Sequence, residues 1–501
     1  MLYESTRGRS RPVPAAEAIK QGIAPDGGLF VPERIPPLGA ADLDRLAGLD
    51  YRQRAAEILG RFLPDFDRSE IAGSVAHAYN TDRFGDAAIA PVHTAAAGLH
   101  FLELWHGPTC AFKDMALQIL PHLLKRAMVK TGETAETVIL VATSGDTGKA
   151  ALEGFRDVPG MRIIVFFPAA GVSEMQRLQM VTQEGENVHV IAVRGNFDDT
   201  QSGVKAIFTD PDINAALHRQ KRRFSSANSI NWGRLVPQIA YYFSAWLDLA
   251  NRGEIKPGQP VNYVVPTGNF GNILAGFYAR RMGLPVHRLI CAANRNNVLT
   301  DFIRTGRYDR NRTFYRTISP SMDILISSNL ERLLYELTDR DAERVHSWMA
   351  ELQTNGSYQV DPATHALVTG LFWSDFADEE TTLREIRDTW REYRYLLDPH
   401  TAVGKAVYDK YRAVTGDETP TVIVSTASPF KFNQAVARAL FGDAEAEQKS
   451  EFELLEILAA KTGLEIPRGL RDLKRKAVRH HTVVDRDRMP AALLEILPPP
   501  G

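Results

Sequence analysis

Short β-branched runs, each closed by a small polar turn and followed by a helical pattern, decide what this chain can fold into. "TVILVAT" (137–143) runs into "SGDTG" and the helical "KAALEGF"; "MRIIVFFP" (161–168) and "VHVIAV" (188–193) flank a helical pattern near 173–184. "VNYVVP" (261–266) leads through "TGNFGN" to a helix over about 272–282 and then "HRLICAAN" (287–294), and "TVIVSTA" in the 420s leads to "FNQAVARALF". Such runs suit strands covered on both faces. Their alternation with helices predicts an α/β fold with a mainly parallel sheet. Ligands of such folds sit at the carboxyl ends of the strands. Three polar or Gly-rich turns occupy those ends: 143–148, 267–272 and 425–429.

At 501 residues the chain has room for about three domains or subdomains. Residues 1–95 form a mixed amino-terminal domain in this reading, with loop over 22–39 and short helices over 40–64 and 68–80. Residues 96–445 form the α/β region, with a small subdomain over about 100–220 and a helical insertion over about 330–400. Residues 446–501 read as a helical tail whose "RGLRDLKRKAVRHH" is a solvated basic face. The 59 basic and 61 acidic residues nearly cancel, which argues against a chain built to bind nucleic acid. Cys110 and Cys291 lie far apart and make no metal-ligand spacing, so two reduced thiols and no metal are expected. The amino terminus lacks the apolar segment of a secretory signal, and Ile163–Phe167 is too short to span a membrane, so the expected address is the cytoplasm.

Several turns could carry chemistry. Gly268 and Gly271 follow a strand and open a helix, where free N–H groups and the helix dipole can cradle a phosphate or serve a purely structural turn. The dinucleotide pattern GxGxxG is absent. "TSGDTGKAA" (143–151) is no nucleotide P-loop, since Gly145 and Gly148 are three apart and Ala150 stands where Ser or Thr is needed. Its hydroxyls cap a helix or bind an anion. Ser225, Ser226, Asn228, Ser229 and Asn231 precede Arg234 and together could hold an anion. Ser425, Thr426 and Ser428 end a strand before Pro429. Lys113, between Phe112 and the run Met115–Leu117, is either a paired surface lysine or a desolvated, nucleophilic amine. Taken together, a lysine, two phosphate-friendly turns and a hydroxyl pair at a third strand end are what a pyridoxal-phosphate site requires.

"ESTRG" (4–8), "GIAPDGGLFVPE" (22–33), "HGPTCAFKD" (106–114), "TSGDTGKAA", "NSINWGRL" (228–235), "PTGNFGN" (266–272) and "STASPFKF" (425–432) together resemble the threonine synthase family in its longer bacterial and fungal form, over nearly the whole chain. The resemblance implies a fold-type II pyridoxal-phosphate enzyme, similar in architecture to the tryptophan synthase β subunit, with two α/β subdomains on parallel sheets. It implies a carbon–oxygen lyase acting on phosphates, which turns O-phospho-L-homoserine and water into L-threonine and phosphate. By motif, Lys113 would hold the cofactor aldehyde, Gly268, Asn269, Phe270, Gly271 and Asn272 its phosphate, and Thr426 its pyridine nitrogen. Ser144, Asp146 and Thr147 would lie near the substrate carboxylate, and Asn228, Ser229, Asn231 and Arg234 are candidates for the substrate phosphate. Ser428 and Phe430 stand where the family commonly has His and Ala, and Asn272 replaces an acidic residue. The partner would be a small molecule, with no nucleic acid or membrane, and the protein a monomer or homodimer. A phospholyase that releases 2-oxobutyrate, and a non-catalytic binder of a phosphorylated ligand, are the rival readings.

Overall fold

The β-branched runs build two separate sheets. A computed structural model describes residues 1–143 and 145–497 of the chain. The larger sheet has six strands in the spatial order Phe372–Phe376, Val286–Ala293, Val261–Pro266, Thr421–Ser425, Leu99–Glu103, Val92–Ala96. All neighbours are parallel except the last pair. The smaller sheet is wholly parallel: Val483–Asp485, Val188–Arg194, Met161–Pro168, Glu136–Ala142, Arg222–Ser225. All six residues of Val261–Pro266 are buried, as a strand covered on both faces requires. The helix Trp232–Asn251 is apolar nearly all round and runs through the core, against Tyr51–Phe62 and Gly271–Met282. A three-stranded antiparallel sheet, Leu2–Ser5 with Val13–Pro14 and Phe30–Pro32, anchors the amino-terminal part.

Three segments differ from the sequence reading. The stretch 330–400 carries the helices Leu330–Leu337, Ala342–Asn355, Pro362–Leu371 and Glu379–Tyr393, but it also supplies the edge strand Phe372–Phe376 of the larger sheet. Among the described residues from 446 to 497, after the end of Asp443–Glu447, the α-helices are Glu451–Thr462 and Met489–Ile496. Between them Val483–Asp485 extends the smaller sheet, and Met489 and Leu493 pack onto that sheet's outer core. The basic run has one short turn, Leu473–Arg475, and no helix face. The Gly- and Pro-rich stretch 22–39 is loop except for Phe30–Pro32.

Candidate active site

The parallel strands Leu99–Glu103 and Thr421–Ser425 end side by side, and their loops are stitched together. Leu104 N–H donates to the Ser425 carbonyl (3.0 Å), Phe112 N–H to that of Thr426 (2.8 Å), and Ala111 bridges to Ala427. Lys113 is thereby fixed over the strand ends. Beneath it, buried Asp114 accepts from the N–H and hydroxyl of Thr109, both at 2.8 Å. Position 107 must be glycine because a Cβ would meet Asp114 Oδ2 at 2.5 Å. Burial pushes the Asp114 carboxyl up to about 6, even against the Thr109 bonds.

The Lys113 side chain is 14% exposed. Its Nζ donates to Ser321 Oγ at 3.4 Å and stands 4.0 Å from Asp146 Oδ2. Burial lowers its amine to about 8, with Lys431 and Arg234 acting in the same sense and Asp146 against it. Asp146 opens the helix Asp146–Phe155 at the end of Glu136–Ala142. Burial would raise its carboxyl, yet the Lys431 and Lys113 ammonium groups hold it well below the usual range. Its Oδ1 accepts from Lys431 Nζ (3.0 Å) and Gln176 Nε2 (3.0 Å), its Oδ2 from Ser321 Oγ (3.0 Å).

Two groups of donors without acceptors among the described residues lie near this amine, and each could cradle an anion. The first is the turn after Val261–Pro266. Phe270 adopts φ +63°, which turns the chain into the helix Gly271–Met282. The backbone N–H groups of Gly268, Asn269, Phe270 and Gly271 have no acceptor among the described residues. Four free donors at the start of a 12-residue helix suit a phosphate. Asn272 Oδ1 accepts from the hydroxyls of Tyr241 (2.7 Å) and Tyr242 (2.8 Å), while its buried Nδ2 has no partner. The second cradle is Arg234, one turn into Trp232–Asn251. It is 5% exposed and has no acidic partner among the described residues. Its Nη1 donates to the Ala227 carbonyl (2.8 Å), and its buried Nε has no acceptor. Burial lowers its guanidinium to about 10.

Other expected residues separate into groups. Thr426 is buried, with its N–H on Thr401 Oγ1 (3.3 Å) and no bond to its own hydroxyl among the described residues. Thr147 is half-buried, while Asn228 is exposed and Ser229 half-buried at the mouth of the Arg234 cradle. Asn231 is buried at the start of the helix Trp232–Asn251. Its Oδ1 caps Gly233 N–H (2.8 Å) and its Nδ2 donates to the Ile19 carbonyl (2.9 Å), so the helix start uses both groups. Ser144 lies outside the described residues. Sequence reasoning missed Ser321, Lys431 and His400. Lys431 carried the signal that exposed Lys113, a lysine among apolar neighbours after a strand end; the other two carried none.

Three family models cover most of the chain: threonine synthase N terminus (residues 2–79), pyridoxal-phosphate dependent enzyme (90–378) and threonine synthase, C-terminal (401–488). Threonine synthase of Pseudomonas aeruginosa is 41% identical over 456 residues, covering 89% of this chain and 92% of that protein. Human threonine synthase-like 1 is 41% identical over 435 residues, 85% of this chain, which spans 58% of the length of that relative. The crystal structure of pyridoxal-phosphate-bound threonine synthase from Brucella melitensis superposes with a TM-score of 0.88 at 35% identity, over 99% of each chain. The yeast threonine synthase structure gives 0.88 at 34%, over 99% of this chain and 98% of that one. With the fold, the three models and these relatives in agreement, the chain belongs to the threonine synthase family of fold-type II pyridoxal-phosphate-dependent enzymes.

Proposed function

We propose that the chain converts O-phospho-L-homoserine and water into L-threonine and phosphate, with pyridoxal 5'-phosphate as cofactor. One observation carries the reading: a half-buried amine, Lys113, near four N–H groups without an acceptor and a buried guanidinium without an acidic partner among the described residues. A phosphorylated cofactor and a phosphorylated amino acid need two such cradles around one amine.

The residues fit the cofactor. Gly268 to Gly271 and the free Asn272 Nδ2 would hold its phosphate, Thr426 would meet its ring nitrogen, and Lys113 would hold its aldehyde. When bound, pyridoxal phosphate draws electrons from a substrate's Cα and so eases loss of a proton there. Lys113 is the base for that proton, since an amine lowered to about 8 is partly neutral at physiological pH. Arg234 receives the substrate phosphate, with Asn228 and Ser229 beside it, and Thr147 faces the carboxylate. Asp146, held ionised, would repel a carboxylate, so its part is toward the two lysines.

Purified protein with cofactor is given O-phospho-L-homoserine, and phosphate, threonine and 2-oxobutyrate are quantified. Threonine equal to phosphate, and lost in Lys113→Ala, is the expected result. 2-Oxobutyrate in place of threonine would make it a phospholyase. No phosphate release would overturn the substrate assignment. We also propose a cytoplasmic monomer or homodimer without a nucleic-acid partner. Both cysteines, Cys110 and Cys291, are unbridged and buried, which is compatible with a reducing compartment. No helix among the described residues is long and apolar enough to cross a membrane. Light scattering reads the assembly directly as one or two chains of 55.7 kDa.

A further inference from the structure

The cluster around Asp146 holds two lysines, and they are held differently. Lys431 is wholly out of solvent; its Nζ donates to the Thr109 carbonyl (2.7 Å) and pairs with Asp146 Oδ1 (3.0 Å). Lys113 stands 4.0 Å from Oδ2, beyond hydrogen-bond range. Ser321 fills the gap, accepting from Lys113 Nζ at 3.4 Å and donating to Oδ2 at 3.0 Å. Gln176 completes the carboxylate. Ser321 is itself fixed from behind. Its N–H donates to His400 Nε2 (3.1 Å), so His400 carries its proton on Nδ1 and donates it to Asp398 (2.7 Å). The ring of Phe432 packs edge-on against that imidazole at 4.7 Å.

A carboxylate bonded directly to Lys113 would favour the ammonium form. A lysine that must attack an aldehyde or take a proton needs the neutral form. We propose that Ser321 and Lys431 are positioning residues for Lys113: the serine hydroxyl keeps the amine one hydrogen bond away from Asp146, and the Lys431 ammonium takes up that carboxylate's charge. The inference rests on reading Lys113 as the reactive amine. The charged groups facing Lys113 are Asp146, Lys431 and Arg234; Asp114, next in the chain, turns away to Thr109 and Gln118.

The test is competitive labelling of Lys113 by trace acetic anhydride across pH, read by mass spectrometry on the full-length chain freed of cofactor. The wild-type midpoint should lie well below 10.5, the ordinary value of a lysine. Ser321→Ala and Lys431→Met should each raise it by about one pH unit, as Asp146 closes on the amine or loses its other cation. Ser321→Thr, which keeps the hydroxyl, should stay near wild type, and Asp146→Asn should lower the midpoint. A purely structural role for Ser321 would leave the midpoint unmoved in Ser321→Ala with an unchanged near-ultraviolet spectrum, and that result overturns the proposal. Should Lys431→Met not fold, Ser321→Ala and Asp146→Asn still decide. Neither substrate nor cofactor enters the assay. Expected midpoints without threonine formation would therefore sink the proposed reaction alone, and threonine formation with unmoved midpoints would sink this inference alone.

Discussion

Replacing Arg234 with methionine should make the protein more stable and worse at holding phosphate. The guanidinium is 5% exposed, faces no carboxylate among the described residues, and leaves Nε without an acceptor. A fall from 12.5 to about 10 corresponds to about 3 kcal/mol against the charged form in the folded state. The sign is fixed by the direction. Arginine is charged in both folded and unfolded chains at neutral pH, so the whole cost is present there and fades only as pH rises from about 10 toward 12.5. Methionine fills much of the same space without charge. It forfeits the bond to the Ala227 carbonyl, worth about 1 kcal/mol. The net is a gain of about 1–2 kcal/mol, which for a chain of this size raises Tm by about 1–2 °C. Charge-assisted bonds to phosphate are worth about 1.5–3 kcal/mol, so the inhibition constant of inorganic phosphate should rise about 10- to 150-fold. Scanning calorimetry and phosphate inhibition of turnover read the two effects. A Tm several degrees lower, with phosphate inhibition unchanged, would make Arg234 a structural cation and refute the cradle.

Gly268→Ala places a Cβ 2.8 Å from the Ser321 carbonyl oxygen and 3.4 Å from Met322 Cα. The overlap should cost about 1–3 kcal/mol and weaken cofactor retention at least roughly tenfold; an unchanged cofactor Kd would contradict it. Cofactor capture by the stripped protein needs a neutral Lys113, so its rate should climb about tenfold per pH unit below about 8 and level off above. A flat profile across that range is the refuting outcome. His122 is lowered to about 4, by burial first and by His77 and Arg83 after it, and its Nε2 has no partner among the described residues. Its folded value lies below the unfolded 6.5, so stability is lost as pH falls from 6.5 toward 4, by about 2–3 kcal/mol. His122→Leu should flatten that loss in urea titrations at pH 4.5 and leave pH 7.5 little changed.

What the sequence made legible was local. The Gly-rich turn, Lys113 and Arg234 each announce themselves within a few residues, because a strand, a turn and a helix start are adjacent in the chain. Ser321 is different. Its partners Lys113, Asp146 and His400 lie 208, 175 and 79 positions away, and nothing in "ISPSMD" marks a hydroxyl that separates a lysine from a carboxylate. The strand Phe372–Phe376 escaped because an edge strand is half-covered, and Ser374 and Asp375 break the apolar run that marks its neighbours. Val483–Asp485 is three residues long, too short for any period to show. Asn231 shows the converse: an asparagine before a helix suits a cap as well as an anion ligand, and its bond to the Ile19 carbonyl, 212 positions away, is not legible in the local sequence.

The amino-terminal residues and the helix Leu330–Leu337 set the distance between the two cradles. Buried Arg332 donates from Nε to the Phe30 carbonyl (3.0 Å), from Nη2 to that of Ile230 (2.6 Å) and from Nη1 to Asn329 Oδ1 (2.5 Å). Asn329 Nδ2 then reaches the carbonyls of Asn269 (3.0 Å) and Ser229 (3.3 Å). One guanidinium thus ties the amino-terminal sheet, the loop ahead of Arg234 and the turn of Gly268 to a single point. Glu331, next in the chain, takes Arg7 through both oxygens (3.0 and 3.1 Å) and Thr6 (2.6 Å), which joins "ESTRG" to the same helix. Trp232 packs among Tyr3, Phe62 and Tyr278, and so holds the start of the helix that carries Arg234. Burying Arg234 with no acidic partner among the described residues costs free energy, and these contacts hold the backbone around it against that cost. The stretch that reads in sequence as a helical interruption is therefore the part that holds the Gly268 turn and the loop ahead of Arg234 in register.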